Sequence, residues 1–312
     1  MKWVKRADAT PPTVTVIVCT RDRPHLLERA VRSILAQDYA GSVRCLVVFD
    51  HCDVTSIAAP SPFDRHSLTL TRNGGTPGLA GARNWGLARA DGDLVAFCDD
   101  DDAWEPGKLS AQVALLEAHP DAILCCTGIR IITHEGTVER TPPARVELAD
   151  LLRTRVAAIH PSSFLMQRTD LVERLGGINE EVPYSYGEDY DFLLRASRHG
   201  CVVSVPAPLT VVYWDRLSFF SARWDSVAAG LSYIHDAFPE FASDRRGRAR
   251  VRGQVAFAHA AQGRRRDALR WAGRSLADDP RQLRAYGALA VAAGAASPDT
   301  LLERVNRTGR GL

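Results

Sequence analysis

A doubly wound α/β sheet followed by a small all-α extension is the fold class this sequence predicts, on three observations. Short β-branched apolar runs alternate with helix-period segments through the first half of the chain. Polar and charged residues stand at the ends of three of those runs. From Asp244 onward the strand signal stops and small-residue helical segments take over. Strand–helix alternation argues for a mostly parallel sheet, because parallel neighbours need a crossover and a helix supplies it.

The elements follow in order. Val14 to Cys19 reads as a buried strand and Pro24 to Gln37 as a helix, with Leu26, Leu27, Ala30, Val31, Ile34 and Leu35 on one face at 3.6-residue spacing. Cys45 to Phe49 and Ser67 to Thr71 are the next strands. Pro77 to Ala90 is helical, Leu94 to Cys98 is a fourth strand, and Pro106 to Ala118 is a helix with Pro at its first position. Ala122 to Thr133 is strand-like, and from Thr133 to Val146 the pattern breaks into turn residues, including Pro142 and Pro143. Mixed strand and helix resume from His160 to Tyr213, and a long amphipathic stretch runs from Ser218 to Phe238.

The Arg-rich run Arg245 to Arg252 marks a boundary. Beyond it Val251 to Gln262, Arg265 to Ala277 and Gln282 to Ala293 read as helices, broken by Gly263 and by Asp278-Asp279-Pro280. This text resembles one tetratricopeptide-type unit plus a following helix. One unit is fewer than the roughly three needed for independent stability, so it is expected to pack on the main domain.

The 312 residues are 46% hydrophobic and 24% charged, with a formal net charge of +2, which excludes a bulk nucleic-acid coat. The average hides a division. From Asp244 to the C-terminus there are 15 basic and 6 acidic residues, net +9, leaving 24 basic and 31 acidic in the remainder, net −7. Three readings of the basic tail stay open: a solvated face, attraction to an anionic membrane surface or a protein partner, and, last, nucleic acid. The Arg run lacks interleaved aromatics, so no nucleic-acid partner is expected. The seven cysteines lack C-x-x-C spacing, and six lie in or beside apolar runs, which argues against a disulfide framework or zinc site. The N-terminus lacks the apolar core of a signal peptide, and no apolar run reaches the roughly 18 residues of a spanning helix. A cytoplasmic chain is expected, with the tail as a route to peripheral contact at the inner membrane face.

Open α/β sheets bind ligands beyond the carboxyl ends of their strands. Here those ends read Thr20-Arg21-Asp22-Arg23, then Asp50, then four consecutive carboxylates, Asp99 to Asp102, followed by Ala103-Trp104. Adjacent carboxylates repel and raise each other's pKa, and a divalent cation removes the repulsion. Hard oxygen ligands suit Mg2+ or Mn2+, which would also bind nucleotide phosphates. The alternative is an acidic solvated turn that caps the next helix. Gly75, Gly78 and Gly81 open a helix after the third strand, and with Arg83 they suit a phosphate at a helix N-terminus, or simply a flexible loop. The first turn of a helix after Gly187 carries Glu188, Asp189 and Asp191. These either favour the helix dipole or supply a general base.

Taken together and in order, VTVIVCTRDRPHLLERAVRSILAQ, LVVFD, GLAGARNWGLARADGDLVAFCDDDDAW and GGINEEVPYSYGEDYDFLLRASRHG resemble the family 2 glycosyltransferases of the GT-A fold, over roughly Val14 to Tyr213. The resemblance implies a hexosyltransferase-type enzyme that moves a sugar, with inversion, from a nucleotide-sugar to an acceptor hydroxyl. It also implies residues 1–243 as the catalytic domain, with a nucleotide-binding half at about 13–133 and an acceptor half at about 146–243, and residues 244–312 as the helical extension. Thr20, Arg21 and Asp50 would lie in the nucleotide pocket. Arg83, Asn84, Asp99 and Asp100 would help hold a UDP-, GDP- or dTDP-sugar. The D-x-D motif falls on Asp99 and Asp101, with Asp101 as the direct ligand to Mn2+ or Mg2+. Asp189 would be the base, with Glu188 beside it, and Trp104 and Glu188 would shape the acceptor and sugar pockets.

The acceptor itself (polysaccharide, lipid-linked or small molecule) is not specified. Many relatives carry a His after the last strand; here Arg216 takes its place, and it would contact the diphosphate but cannot ligate a metal. The acidic-glycine-serine text usual after the second strand is replaced by Asp50-His51-Cys52-Asp53. A nucleotidyltransferase would need an early Gly-rich loop with an Arg and Lys signature, which is missing. A non-catalytic nucleotide- or sugar-binding scaffold built on the helical repeat would predict a broken metal or base site, yet Asp101 and Asp189 are both present.

Overall fold

The computed structural model describes residues 10–59, 61–214 and 223–307. Two compact units emerge. The first comprises residues 1–148, 156–180 and 192–216, the second residues 149–155, 181–191 and 217–312. The expected boundary at 243/244 thus falls inside the second unit, which also takes in two earlier segments.

The first unit is built on β1 (Val14–Thr20), β2 (Val43–Phe49), β3 (His66–Arg72), β4 (Leu94–Asp99), β5 (Ala103–Trp104), β6 (Ala122–Thr133), β7 (Gly136–Arg140), β8 (Arg145–Val146), β9 (Leu165–Gln167) and β10 (Cys201–Tyr213). They form one sheet of order β3-β2-β1-β4-β9-β6-β10-β5, with β7 on β6 and β8 on β10. β1 pairs in parallel with β2 and β4, β2 with β3, and β6 with β10, whereas β9 runs antiparallel between β4 and β6. β1 is buried along its whole length, as its unbroken apolar run requires.

α1 (Pro24–Leu35) starts on a proline and buries Leu27, Ala30, Val31, Ile34 and Leu35. α2 (Leu79–Leu87) is shorter than its pattern because Gly78 adopts φ +104°, which a helix cannot continue. α3 (Lys108–Ala118) and the short α4 (Leu148–Arg153) complete the helices before the second carboxylate cluster.

The stretch read as turns between Thr133 and Val146 instead contains β7 and β8. β7 is exposed along most of its length, so it carries no apolar alternation to detect, and a turn through Gly136 at φ +140° folds it back on β6. β10 contains Pro206 and Pro208, and its register shifts between Val205 and Thr210, where missing amide donors do least harm. All seven cysteines are buried free thiols.

The second unit is helical: the first turn of α5 (Glu188–Ser197), then α6 (Trp224–Ala237), α7 (Arg245–Ala261), α8 (Arg265–Asp278), α9 (Leu283–Ala292) and α10 (Pro298–Arg307). The Arg-rich run lies inside this unit. It forms the first half of α7, capped by the Asp244 carboxylate, which accepts from the Gly247 amide at 3.0 Å. Arginine is a good helix former, and part of the charge is offset within the unit. Asp278 receives two bonds from Arg248 (3.0 and 2.7 Å) and one from Arg252 (2.7 Å). α7 packs against α6, α8 and α9, and at Gly247 its backbone comes so close to Leu152 that a Cβ would lie 2.1 Å from the Leu152 carbonyl oxygen. No helix among the described residues is long and apolar enough to cross a membrane.

Candidate functional site

Parallel pairing alone brings three strand ends together. Thr20 pairs with Phe49 and Cys19 with Asp99, so Thr20, Asp50 and Asp99–Asp102 share one edge of the sheet. The chain leaves β1 and β2 through left-handed residues, Asp22 (φ 55°) and His51 (φ 53°), strained conformations of the kind found where a site dictates the backbone.

At this edge every carboxylate of the tetra-aspartate has a different setting. Asp99 accepts from the buried Arg83 guanidinium at 2.7 Å. Asp100 accepts from the Thr20 hydroxyl at 2.7 Å and from Arg23 at 3.2 Å, and burial pushes its carboxyl up to about 6 against the pull of those partners. Asp101 pairs with Arg23 at 3.0 Å and remains 40% exposed, while its carbonyl accepts from Arg29 at 2.6 Å. Asp102 is buried. It accepts from the Ser162 hydroxyl at 2.5 Å and lies 3.5 Å from His160 Nδ1, and burial followed by the charge of Asp99 holds its carboxyl well above the usual range.

Asp50 is tied to the glycine loop. One oxygen accepts from Asn73 at 2.8 Å and the other from the Gly78 amide at 3.1 Å, which fixes the start of α2. Arg21 is exposed beside Thr20. Asn84 was expected to help hold a donor. Here its amide donates to the Ile178 carbonyl (2.9 Å) and Glu180 (2.6 Å) and accepts from the Ile178 amide (2.8 Å), so it clamps the loop before residue 180.

Trp104 was expected to shape the acceptor pocket, but it is only 4% exposed and belongs to the core. Its indole donates to the Ser162 carbonyl at 2.8 Å, and the Lys108 ammonium lies 3.6 Å from its ring centroid. Ser162 also receives the Asp99 amide at 3.0 Å, so Trp104 braces the acidic turn through Ser162. Arg216 lies outside the described residues.

Among the described residues, the one set suited to a metal ion is Asp99, Asp102 and His160, each offering a ligand atom within 4.8 Å of the others. The expected pair was Asp99 and Asp101; the fold gathers Asp99 with Asp102 and His160 and leaves Asp101 on Arg23. Two carboxylates and an imidazole fit a divalent cation of Mn2+ type, and its charge would offset the repulsion within the run. Ser162 and His160 carried only a weak signal, the text His-Pro-Ser-Ser. Their place near Asp102 is a product of the chain returning to β4 as β9.

In the helical unit, α5 opens with Glu188, Asp189 and Asp191. Glu188 and Asp191 are buried. Asp189 is 15% exposed, accepts from the Tyr190 amide at 2.8 Å, and pairs with Arg155. The Tyr190 hydroxyl donates to the Leu151 carbonyl (2.7 Å) and accepts from Arg250 (2.7 Å), so the Arg-rich run reaches the acidic first turn of α5 directly. Nothing in the sequence singled out Arg155, and Arg250 stood only within the Arg-rich run, with no signal of its bond to Tyr190.

A model of the family described as glycosyl transferase family 2 matches residues 15–176. Among curated relatives, an Escherichia coli protein, UDP-Glc:alpha-D-GlcNAc-diphosphoundecaprenol beta-1,3-glucosyltransferase WfgD, is 31% identical over 103 residues, 33% of this chain and 40% of the relative. The chain spans about half the length of the first curated relatives it matches, 46% of each. Among solved structures, residues 1–349 of S. aureus TarS in complex with UDP-GlcNAc align with a TM-score of 0.59 at 15% identity, covering 96% of this chain and 92% of that one. The mannosyltransferase PcManGT of Pyrobaculum calidifontis, in complex with GDP-Man and Mn2+, aligns at 0.58 and 20%, covering 99% and 83%. These likenesses show a shared GT-A fold. With the family match extending over more than half its length, the chain belongs to glycosyl transferase family 2.

Proposed function

We propose that the protein is an inverting glycosyltransferase that moves a sugar from a nucleotide-sugar donor to an acceptor hydroxyl. The observation that carries this reading is the edge where Thr20, Asp50, Arg83 and Asp99–Asp102 meet at adjacent parallel strand ends. In an open α/β sheet that edge is the nucleotide site. Buried Arg83 and exposed Arg21 supply positive charge for a diphosphate, and the glycine loop held by Asp50 offers backbone amides at the start of α2.

Asp99, Asp102 and His160 would hold a divalent cation, Mn2+ or Mg2+, with Asp101 as the further carboxylate that the family resemblance implies. When bound, the ion supplies Lewis-acid stabilisation of the diphosphate leaving group. Asp189 accepts the proton of the acceptor hydroxyl as its oxygen attacks the anomeric carbon. The anomeric carbon–phosphate oxygen bond breaks with its electron pair departing on the diphosphate, so one in-line displacement inverts the configuration. Glu188 and Asp191 are buried in the same first turn, where the helix dipole favours negative charge. UDP-GlcNAc on TarS and GDP-Man on PcManGT support a UDP- or GDP-sugar, and the name of WfgD supports a lipid-linked acceptor. The basic extension is read as part of the scaffold for the base, because Arg248 and Arg252 share Asp278 within it and Arg250 bonds Tyr190.

A nucleotide-sugar panel of UDP-, GDP- and dTDP-sugars, read by donor hydrolysis with and without Mn2+, tests the proposal. Hydrolysis of one donor that depends on the ion is expected. Hydrolysis of none, alongside release of pyrophosphate from a nucleoside triphosphate, would favour nucleotidyl transfer.

A further inference from the structure

We propose that Arg155 is the positioning residue of the base, holding the Asp189 carboxylate in its working orientation and ionised; this rests on Asp189 being the base. Arg155 follows α4, and its guanidinium pairs with Asp189 Oδ2 while the Tyr190 amide binds Oδ1.

An exposed Arg–carboxylate pair usually contributes little, because two long side chains must be ordered to make it. Here the segment leading into Arg155 is anchored at Leu151 and at Arg153. The Leu151 carbonyl accepts from Tyr190, the Arg153 carbonyl accepts from Arg250 at 3.3 Å, and the Arg153 guanidinium pairs with Asp244 at 2.6 Å. Arg250 itself is tied to Gln254 at 3.1 Å and to the Tyr190 hydroxyl. The guanidinium is therefore delivered to Asp189 by a framework ordered for other reasons, and the entropic cost of the pair falls. The charge of Asp189 in turn raises the Arg155 pKa.

Arg155 from the α4 end and Tyr186 from its own segment interact electrostatically with Asp189, and Tyr190, which the Arg155 charge also reaches, is backed by Arg250 from α7. Arg155 is a cation in direct contact with the Asp189 carboxylate. Removing it leaves the base to protonate at higher pH and frees its rotamer.

The test compares full-length wild type, Arg155→Gln, Arg155→Lys, Asp189→Asn and the Arg155→Gln/Asp189→Asn double variant. Donor hydrolysis is followed across pH with whichever of UDP-GlcNAc, UDP-glucose and GDP-mannose turns over fastest, and urea unfolding is measured in parallel. Arg155→Gln is expected to lower kcat roughly tenfold with donor KM within about twofold, and to move the acid limb of kcat to higher pH. Arg155→Lys should restore the limb while leaving kcat partly reduced, since an ammonium keeps the charge but not the fork. The two single variants should be non-additive in urea unfolding. An unchanged limb and kcat in Arg155→Gln, with Asp189→Asn inactive, would overturn the role of Arg155 alone. Full turnover in Asp189→Asn would remove the base, and this proposal with it.

Discussion

Lys108 lies at the first position of α3 with no exposed surface, yet no carboxylate among the described residues pairs with it. Its ammonium donates to Gln112 Oε1 at 2.8 Å and sits against the Trp104 ring. Burial pulls its pKa from the ordinary 10.5 down to about 7. In the unfolded chain lysine stays protonated up to its ordinary value, so between pH 7 and 10.5 the unfolded state holds the extra proton. Stability must then rise with pH in that window. The penalty of the buried charge is about 4 kcal/mol at pH 7 and falls to about 2 kcal/mol at pH 9, a gain of about 2 kcal/mol.

Lys108→Met keeps the stem and removes the charge, at a cost of about 1–3 kcal/mol for the Gln112 oxygen left without its donor. The expected result is a variant about 1–3 kcal/mol more stable than wild type at pH 7, with the advantage shrinking or reversing by pH 9. Urea unfolding of both proteins at pH 7, 8 and 9 measures it, and common titrations cancel in the difference. A difference that stays constant over those two pH units would refute the linkage argument. It would mean that the amine is hydrated or paired in solution.

Asp189→Asn is expected to lower acceptor-dependent transfer by at least about 10²-fold with donor affinity nearly unchanged, measured by turnover and by calorimetric titration of the donor. Asp101→Ala should weaken donor binding in the presence of Mn2+ and leave binding in chelator the same; equal loss in both conditions would remove any link to the ion. Asp278→Asn leaves Arg248 and Arg252 without their shared carboxylate, and an unfolding loss of about 1–3 kcal/mol is expected, reduced for the partial exposure of both arginines. If that variant instead matches wild type in urea, the internal neutralisation of the Arg-rich run has been overstated.

Much of the fold was legible because its signals are local. The buried runs at Val14, Cys45 and Leu94, the one-faced helix after Pro24, and the helices after Arg265 and Leu283 all follow from periodicity within a dozen residues. β7 was not legible, because an exposed edge strand has no apolar face to alternate. The internal partner of the Arg-rich run was not legible for a different reason. Charge density reads as surface unless the partner is known, and Asp278 stands 30 positions from Arg248.

The sequence by itself determined which residue types reach the strand ends, Thr20, Asp50 and Asp99–Asp102, and that α5 opens on acids, since each is a neighbour of its own element. Only the tertiary structure decided how the four aspartates differ. Each takes its character from a distant group, Arg83, Thr20, Arg23 or Ser162. It also decided that Trp104 is buried support, that His160 stands with Asp99 and Asp102, and that Arg155 meets Asp189. The physical reason is range: strand and helix periodicity is set by covalent neighbours, whereas a carboxylate's charge and orientation are set by whatever the fold brings within hydrogen-bond distance.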